Sequence, residues 1–331
     1  QRNAQGRLDL YVNSMVREVS VDKTGKPNGV VYINKDDNKE YKINAKVVVL
    51  AASACESARI LLNSKSPYHE NGLGNSSNMV GKYLHDSTGT NNMAFIPDLM
   101  NRKTYNEDGM GNMHLYSPWW LDNKNLDFPR GYHIEIWGGL GTPSYGTGFN
   151  FNSLNSFFGL EVGGYGDRVR EEVKKYYGST MGFSTRGESI PNIDNYCEID
   201  PEKKDKYGIP VLRFNYNWSD YERKQAKHMN ETIKEVVHNI GGHMLWENGG
   251  RDNGLLTPGE VIHEVGTTRM GNNPKTSVVN KYEQLHDAKN VFIVDGGPFV
   301  SQADKNPTWT IMALSWRTSE YIIDELKKQN I

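Results

Sequence analysis

Two stretches of the sequence carry residue types that suit chemistry. One is His263 in the run HEVGTTRMG, and the other is Asn306-Pro307-Thr308, which opens a predicted helix within residues 304–328. Proline at the first helical position fixes the entry angle and gives up no usable donor. The first two turns of this helix are almost wholly apolar, so we expect its start to be buried. Buried, unpaired N–H groups at a helix start attract an electron-rich ligand.

Both stretches also have a plain structural interpretation. His263 fits an ordinary loop histidine, because most histidines are not catalytic. Asn306 fits the N-cap of the helix, and Pro307 fits its first residue. Capping satisfies one or two of the N–H groups and leaves the others for a ligand or water.

Several classes of function lack their usual sequence signals. No GxGxxG run follows a predicted strand, and the P-loop, HExxH and GxSxG patterns are absent. Cys55 and Cys197 form no CxxC pair, so we predict no metal site. A net charge of −2 without basic runs argues against a nucleic-acid partner. No apolar run reaches the roughly 18 residues of a membrane span.

Hydrophobic patterning divides the chain into parts of different character. Residues 7–50 alternate as β-strands, and the continuous apolar run 47–52 predicts a parallel strand covered on both faces. A helix over 56–63 and a second buried strand within 289–296 follow the same α/β pattern. The middle of the chain is rich in Gly, Asn and aromatic residues, which is typical of short strands and long loops. Its one clear helix begins at the capping box of Ser219 and stops at Gly241.

We therefore predict a mixed α/β fold in which an α/β domain is split by an inserted, mostly antiparallel β domain. The predicted parts are 1–90 (first part of the α/β domain), 91–255 (the inserted domain) and 256–331 (last part of the α/β domain).

Five motifs, in order, resemble the glucose-methanol-choline (GMC) flavoprotein oxidoreductases. They are VVVLAASACESARILLNS, GLGNSSNMVGKYLHDS, HEVGTTRMG followed by KTSVVN, NVFIVDGGPF, and NPTWTIMALSWRTSEYI. The weaker run over 186–220 is similar to the sugar-oxidising bacterial members. The resemblance covers nearly the whole chain, although it is thin between residues 90 and 180.

The resemblance implies FAD as the cofactor, held by a Rossmann-like domain, with residues 91–255 as the substrate domain. The backbone at Asp295 and Gly296 would meet the pyrophosphate or ribityl chain. The turn Asn306-Pro307-Thr308 would face the pyrimidine edge of the flavin, and Val16 corresponds to the adenine contact. The family usually has Gly where Ser53 stands, and Gly allows close approach of the backbone to a cofactor.

The same resemblance implies a catalytic pair. His263 would accept the hydroxyl proton of a sugar or glycoside while the carbon-bound hydride leaves for flavin N5. Asn306 would hold the same oxygen by a hydrogen bond. Because Asn cannot take a proton, His263 is the expected base.

The family's N-terminal GxGxxG and its acidic ribose-binding residue have no match here, so we expect a missing segment upstream. For the same reason we expect these 331 residues alone to bind FAD weakly and to be inactive. The alternative is a non-catalytic carbohydrate-binding module, in which aromatic side chains stack on sugar. Its candidates, which fit a protein core equally well, are Trp119, Trp120, Tyr132, Trp137 and Tyr145. The electron acceptor, a possible electron-transfer subunit and the compartment (cytoplasm or periplasm) stay open.

Overall fold

The computed structural model describes residues 8–100, 102, 115–118, 125–139, 150–159, 161–246 and 251–331. The strands in these ranges are β1 (Ser14–Val21), β2 (Pro27–Asn34), β3 (Glu40–Asn44), β4 (Val48–Leu50), β5 (Asn91–Phe95), β6 (Leu115–Pro118), β7 (Tyr132–Gly139), β8 (Thr180–Gly187), β9 (Tyr196–Lys204), β10 (Pro210–Asn215), β11 (His243–Trp246) and β12 (Val291–Ile293). The helices are α1 (Ala54–Asn63), α2 (Phe151–Phe158), α3 (Asp167–Tyr176), α4 (Asp220–Asn239) and α5 (Thr308–Lys327). None of these helices combines the length and the apolarity needed to cross a bilayer.

The strands form mainly antiparallel sheets. β1, β2 and β3 make one sheet, β9 and β10 make a hairpin, and β11-β5-β8-β7-β6 make a five-stranded sheet. The β9–β10 hairpin packs on the same apolar cluster as α1 and β4. The predicted mixed α/β fold is confirmed, whereas the domain boundaries stay a prediction.

A short parallel pair joins the two ends of the chain. β4 pairs with β12, with Val48 opposite Val291 and Leu50 opposite Ile293. This pairing confirms the predicted parallel strands, although both are shorter than predicted. The prediction that the first strand is covered on both faces is wrong, because Val49 is 47% exposed while Val48 and Leu50 are buried. The pair has no further strand beside it among the described residues.

Helix α4 confirms its sequence prediction. The Ser219 main-chain N–H donates to the Glu222 carboxylate at 2.8 Å, and the Ser219 hydroxyl caps the helix start. Gly241 follows the end of the helix with a φ of +70°, a left-handed conformation that glycine adopts without strain. In the predicted apolar stripe, Met229, Ile233 and Val237 are buried against the five-stranded sheet and Ala226 packs on Trp218 and Leu255. Its last member, Ile240, is 41% exposed, so burial of the stripe ends before that residue.

The aromatic residues of the middle region divide into two groups. Tyr132 is fully buried and its hydroxyl hydrogen-bonds to His228 Nδ1 at 2.8 Å, so sugar stacking by Tyr132 is wrong. Trp137 lies partly buried over Gly182, and its indole N–H donates to Ser184. Trp119, Trp120 and Tyr145 lie outside the described residues.

The start of α5 is exposed, which corrects the sequence prediction of a buried helix start. Trp309 is 83% exposed, Met312 61% and Trp316 73%. These residues lie at spacings of three and four, so they share one face of the helix, and that face points away from the described chain. Apolar composition alone did not show which face packs inward.

The opposite face of α5 is attached to the turn at residues 281–284. Thr318 is the buried side chain of α5, and its hydroxyl donates to Glu283 Oε2 at 2.7 Å. Tyr321 stacks on Tyr282 with ring centroids 4.0 Å apart. Glu283 Oε1 is buried without a partner in the described chain. Burial raises the pKa of Glu283 to about 7, opposed by the Thr318 hydrogen bond and by Arg317.

This buried carboxyl predicts a pH-dependent contribution to stability. Between about pH 4.5, its ordinary pKa, and about pH 7, the folded chain holds a proton that the unfolded chain has lost. The free energy of unfolding therefore falls as pH rises through this window. Glu283→Gln should remove that fall and stabilise the protein at pH 8 by more than about 1 kcal/mol, since each pKa unit corresponds to about 1.4 kcal/mol.

Urea titrations at pH 5 and pH 8 measure this effect. Glu320→Gln is the matched control, because it removes the same charge from an exposed position on α5. Equal pH dependence in wild type and Glu283→Gln would show that this carboxyl does not titrate as described.

Candidate active site

The loop that carries His263 is held by the buried carboxylate of Asp86. The main-chain N–H of His263 donates to Asp86 Oδ1 at 3.0 Å, and that of Gly259 donates to Oδ2 at 3.2 Å. The N–H of Ser87 donates to Oδ1 at 2.7 Å. Asp86 is itself fixed, because its own N–H donates to the Tyr216 hydroxyl and its carbonyl accepts from Ser189. One side chain thus sets the path of the loop from residue 259 to 263.

Burial raises the pKa of Asp86 to about 6, and the nearby Glu264 acts in the same direction. The backbone N–H donors from His263, Ser87 and Gly259 oppose this rise because they stabilise the carboxylate. At neutral pH the group is ionised, so three main-chain donors converge on a buried negative charge.

The ring of His263 is contacted on its Nδ1 side. Ser87 Oγ lies 3.3 Å from His263 Nδ1, and the Gln302 side-chain amide lies 2.9 Å from the same oxygen. Ser87 and Gln302 are buried, whereas His263 is half-buried. This chain of contacts links His263 to the segment just before Asn306. The side chains of His263 and Asn306 make no direct hydrogen bond in the described structure.

Charged side chains on the neighbouring sheet face the His263 loop. His133 and Glu135 lie on β7 two residues apart, and Arg186 on β8 lies directly opposite His133. Alternation along a strand puts these side chains on one face of the sheet. His133 Nε2 lies 3.2 Å from Glu135, and its Nδ1 lies 3.3 Å from Asp304 Oδ2. The segment before Asn306 is therefore tied to the sheet as well as to Ser87.

Burial acts to lower the pKa of His133, but hydrogen bonds to Asp304 and Glu135 outweigh it, and the pKa is raised. Burial acts to raise the pKa of Asp304, but His133 and Lys305 outweigh it, and the pKa is lowered. Each member of this buried pair thus favours the charged form of the other.

Burial lowers the pKa of His263, and Arg186 acts in the same direction, while Glu135 opposes it. The imidazole is therefore neutral at neutral pH. A neutral imidazole can accept a proton, which an imidazolium cannot do.

The predicted cofactor residues Asp295 and Gly296 lie beside the His263 loop. The N–H of Gly266 donates to the Gly296 carbonyl at 3.1 Å, and that of Thr268 donates to the Gly297 carbonyl at 3.0 Å. The Asp295 carboxylate accepts from Ser57 Oγ at 2.5 Å and from the Gly297 N–H at 2.8 Å. The carboxylate oxygens are thus engaged in hydrogen bonds to α1 and to the Gly297 backbone. A cofactor contact at this position would therefore come from the backbone.

Ser53, which stands where the family usually has Gly, is the N-cap of α1 and has a strained backbone. Its φ of 89° lies in a region that favours glycine, and non-glycine residues there are strained by about 1–3 kcal/mol. Its hydroxyl accepts from the Glu56 N–H at 3.3 Å and caps the helix. Residues 53–56 line a cavity of about 370 Å³ whose other wall includes Gly259 and Glu264. This cavity borders the loop that presents His263.

At the turn Asn306-Pro307-Thr308, the predicted N-cap is wrong, whereas the predicted unpaired N–H groups are present. Pro307, not Asn306, is the N-cap, and it makes no side-chain capping bond. The first hydrogen bond of the helix runs from the Ile311 N–H to the Pro307 carbonyl. The N–H groups of residues 308–310 therefore have no acceptor within the helix. Together with the exposure of Asn306 and Thr308, this arrangement fits an electron-rich ligand edge such as that of a flavin.

Val16 and three charged or titratable residues of the family motifs, Arg59, His85 and Arg269, make contacts that serve the fold. Val16 is half-buried on β1, opposite Tyr32, and packs on the cluster under α1. Arg59 bonds to Asp205 and to main-chain oxygens of the β9–β10 turn. His85 is fully buried, its Nδ1 donates to the Tyr83 carbonyl, and burial lowers its pKa to about 4. Arg269 lies over the Tyr83 ring. Clusters of metal-binding side chains are not found among the described residues.

Sequence reasoning missed most of the residues around His263. Asp86 and Ser87 follow His85 directly, but their role depends on a contact across more than 170 positions. The alternation of His133 and Glu135 in a predicted strand was the usable signal for a charged sheet face. Nothing in the sequence singled out Gln302.

Comparison with known proteins identifies the family. Residues 191–315 match the model of the family described as GMC oxidoreductase. The chain is 31% identical over 315 residues to 2-methyl-1,2-propanediol dehydrogenase of Mycolicibacterium austroafricanum, covering 95% of this chain and 54% of that protein. The chain belongs to the GMC oxidoreductase family. The resemblance drawn from its motifs is confirmed, and the family is flavin-dependent.

Two further comparisons cover nearly all of this chain and a little over half of the other protein. The chain is 25% identical to the fructose dehydrogenase large subunit of Gluconobacter japonicus, covering 97% of this chain and 58% of that one. It has a TM-score of 0.64 at 13% identity to the formate oxidase of Aspergillus oryzae, covering 95% and 60% of the two chains. This structural likeness shows the shared fold alone. The chain spans about half the length of the curated relatives it matches.

Because Asp86 accepts two main-chain hydrogen bonds from the His263 loop, its removal should loosen that loop. Asp86→Ala should raise amide exchange over residues 258–264 by about tenfold or more, because two charge-assisted hydrogen bonds are lost. Hydrogen-exchange mass spectrometry measures this. Asp205→Ala is the matched control, since Asp205 accepts the N–H groups of Tyr207 and Ile209 at 2.8 and 3.0 Å in a different turn. Unchanged exchange over 258–264 in Asp86→Ala would contradict the assignment.

Proposed function

We propose that this chain provides the proton-accepting centre of an FAD-dependent oxidoreductase that oxidises a CH–OH group of a sugar or glycoside. One observation carries the proposal. A half-buried histidine is contacted at one ring nitrogen, in a chain of contacts that reaches the segment before a helix start without a side-chain cap.

In the proposed reaction, His263 Nε2 accepts the proton of the substrate hydroxyl. The carbon-bound hydrogen leaves with its electron pair, and the remaining electrons of the O–H bond form the C=O bond. FAD, when bound, supplies the acceptor of that hydride at N5. The proton stays on His263 until solvent or a later step removes it.

The other predicted residues bind and orient. Asn306 donates a hydrogen bond to the substrate oxygen, which directs the reacting C–H bond. The backbone at Asp295, Gly296, Pro307 and Thr308 would hold the cofactor, with Asn306 at the same turn and Val16 toward its adenine. The start of α5 would favour negative charge on the reduced cofactor, by about 1 kcal/mol for the helix end as a whole.

Substrate class is proposed from the site and from the relatives together. Arg186, half-buried on the sheet face beside His263, offers guanidinium donors to a ligand hydroxyl, whereas His133 and Glu135 are buried and bonded to each other. Relatives are named for fructose, for paromamine and for C-glycoside oxidation, and one is named for a small branched diol. One of them is named as a large subunit, which supports the idea of an electron-transfer partner.

The carbohydrate-binding module is the weaker alternative. It leaves the contacts of His263 without a purpose, and the relatives that the chain matches are named as dehydrogenases and oxidases. Tyr132, one of its sugar-stacking candidates, is a core residue.

The test is turnover of the intact, FAD-loaded protein with a panel of sugars, glycosides and small diols. His263→Ala should lower kcat by at least about 100-fold with FAD retained, which is the usual scale for losing a general base. His238→Ala is the control, because that histidine is exposed in the last turn of α4. Normal flavin reduction by His263→Ala would refute the proposed base.

A further inference from the structure

The Nδ1 side of His263 touches a hydroxyl whose proton has two possible destinations. Ser87 Oγ lies 3.3 Å from His263 Nδ1 and 2.9 Å from the Gln302 amide. A hydroxyl has one proton to donate and two lone pairs. Whether Ser87 donates to His263 Nδ1 or accepts from it therefore decides which nitrogen of the neutral imidazole carries the ring proton.

In the first direction, Gln302 Nε2 donates to Ser87, and Ser87 donates to His263 Nδ1. The ring proton must then sit on Nε2, and that nitrogen cannot accept a proton from a substrate. Gln302 is only 4% exposed, and one of its amide atoms is buried without a partner in the described chain in either amide orientation. The cost of that unpaired atom therefore does not choose between the two directions.

In the second direction, the Gln302 amide is turned by 180° about its last bond, so that Oε1 and Nε2 exchange places. Ser87 then donates to Gln302 Oε1, and His263 Nδ1–H donates to Ser87 Oγ. The lone pair of His263 Nε2 is left for the substrate. The two amide orientations have the same shape, so the hydrogen-bond network chooses between them.

We infer that Gln302 and Ser87 are positioning residues that hold His263 as the Nδ1–H tautomer, with the Gln302 oxygen facing Ser87. The inference rests on the proposed role of His263 as base. It gives Ser87 the same partners before and after proton transfer, because Nδ1–H donates to Oγ in both states of the ring. Proton uptake at Nε2 therefore needs no rearrangement of the buried chain.

The direct test is the protonation pattern of His263 in the intact protein, read from ¹⁵N shifts of labelled histidines. The His263 signals are assigned with His263→Gln. Above the pKa of His263, we expect protonated Nδ1 and unprotonated Nε2 in wild type. Protonated Nε2 in wild type would overturn the inference, whatever the turnover.

Two variants give opposite kinetic shifts. Ser87→Ala should mix the tautomers, lower kcat/KM by about tenfold to 100-fold, and move the acid limb of its pH profile to lower pH, because the imidazolium loses an acceptor. Gln302→Glu should keep the tautomer and move that limb to higher pH, because a carboxylate can only accept from Ser87 and favours the cation. Shifts in one common direction, or no change of tautomer in Ser87→Ala, would contradict the inference.

Ser179→Ala is the matched control, since Ser179 is buried and its hydroxyl donates to the Tyr176 carbonyl away from the His263 loop. Thermal melts confirm that each variant folds. An inactive His263→Ala with an unchanged tautomer in Ser87→Ala would sink this inference and leave the proposed function standing. An active His263→Ala would sink the proposed function itself.

Discussion

The carboxylate of Asp86 is the anchor on which the rest of the site depends. It is buried, it is ionised at neutral pH, and it accepts main-chain N–H groups from both ends of the 259–263 loop. A buried carboxylate with satisfied donors is rigid, because each lost bond leaves a charge without compensation. The loop therefore presents His263 in one orientation, and Ser87, the next residue after Asp86, reaches the ring itself.

Two distant parts of the chain meet at this anchor through the parallel pair of β4 and β12. That pair brings the start of α1 beside Asp295, and the segment after Asp295 bonds to the loop that follows His263. The same segment runs on to Gln302 and Asp304, which contact Ser87 and His133. The His263 loop, the backbone at residues 295–297 and the segment that leads to the start of α5 are consequently parts of one connected structure.

Local signals made part of this predictable. The capping box at Ser219 and the apolar stripe of α4 are encoded within a few residues, and the structure agrees with the capping box and with the stripe as far as Val237. The apolar runs predicted the parallel strands. They did not predict the exposure of Val49, because that depends on what covers the strand pair.

Long-range contacts made the rest unpredictable. The apolar start of α5 gave the wrong burial because composition does not specify the packed face, which Thr318 and Tyr321 define through the turn at 281–284. Asp86 and Gln302 act across 177 and 215 positions on His263 and Ser87, and no local pattern marks such contacts. The family motifs identified His263 and Asn306 as candidates, but the residues that orient the ring required coordinates.

The most direct measurement is a crystal structure of the intact, FAD-loaded protein with an unreactive sugar analogue. We expect His263 Nε2 and the Asn306 amide on either side of one ligand oxygen, each about 2.6–3.2 Å from it. The His263 ring would keep its Nδ1 contact with Ser87. A ligand oxygen held by other residues, with His263 Nε2 out of hydrogen-bond reach, would contradict the account.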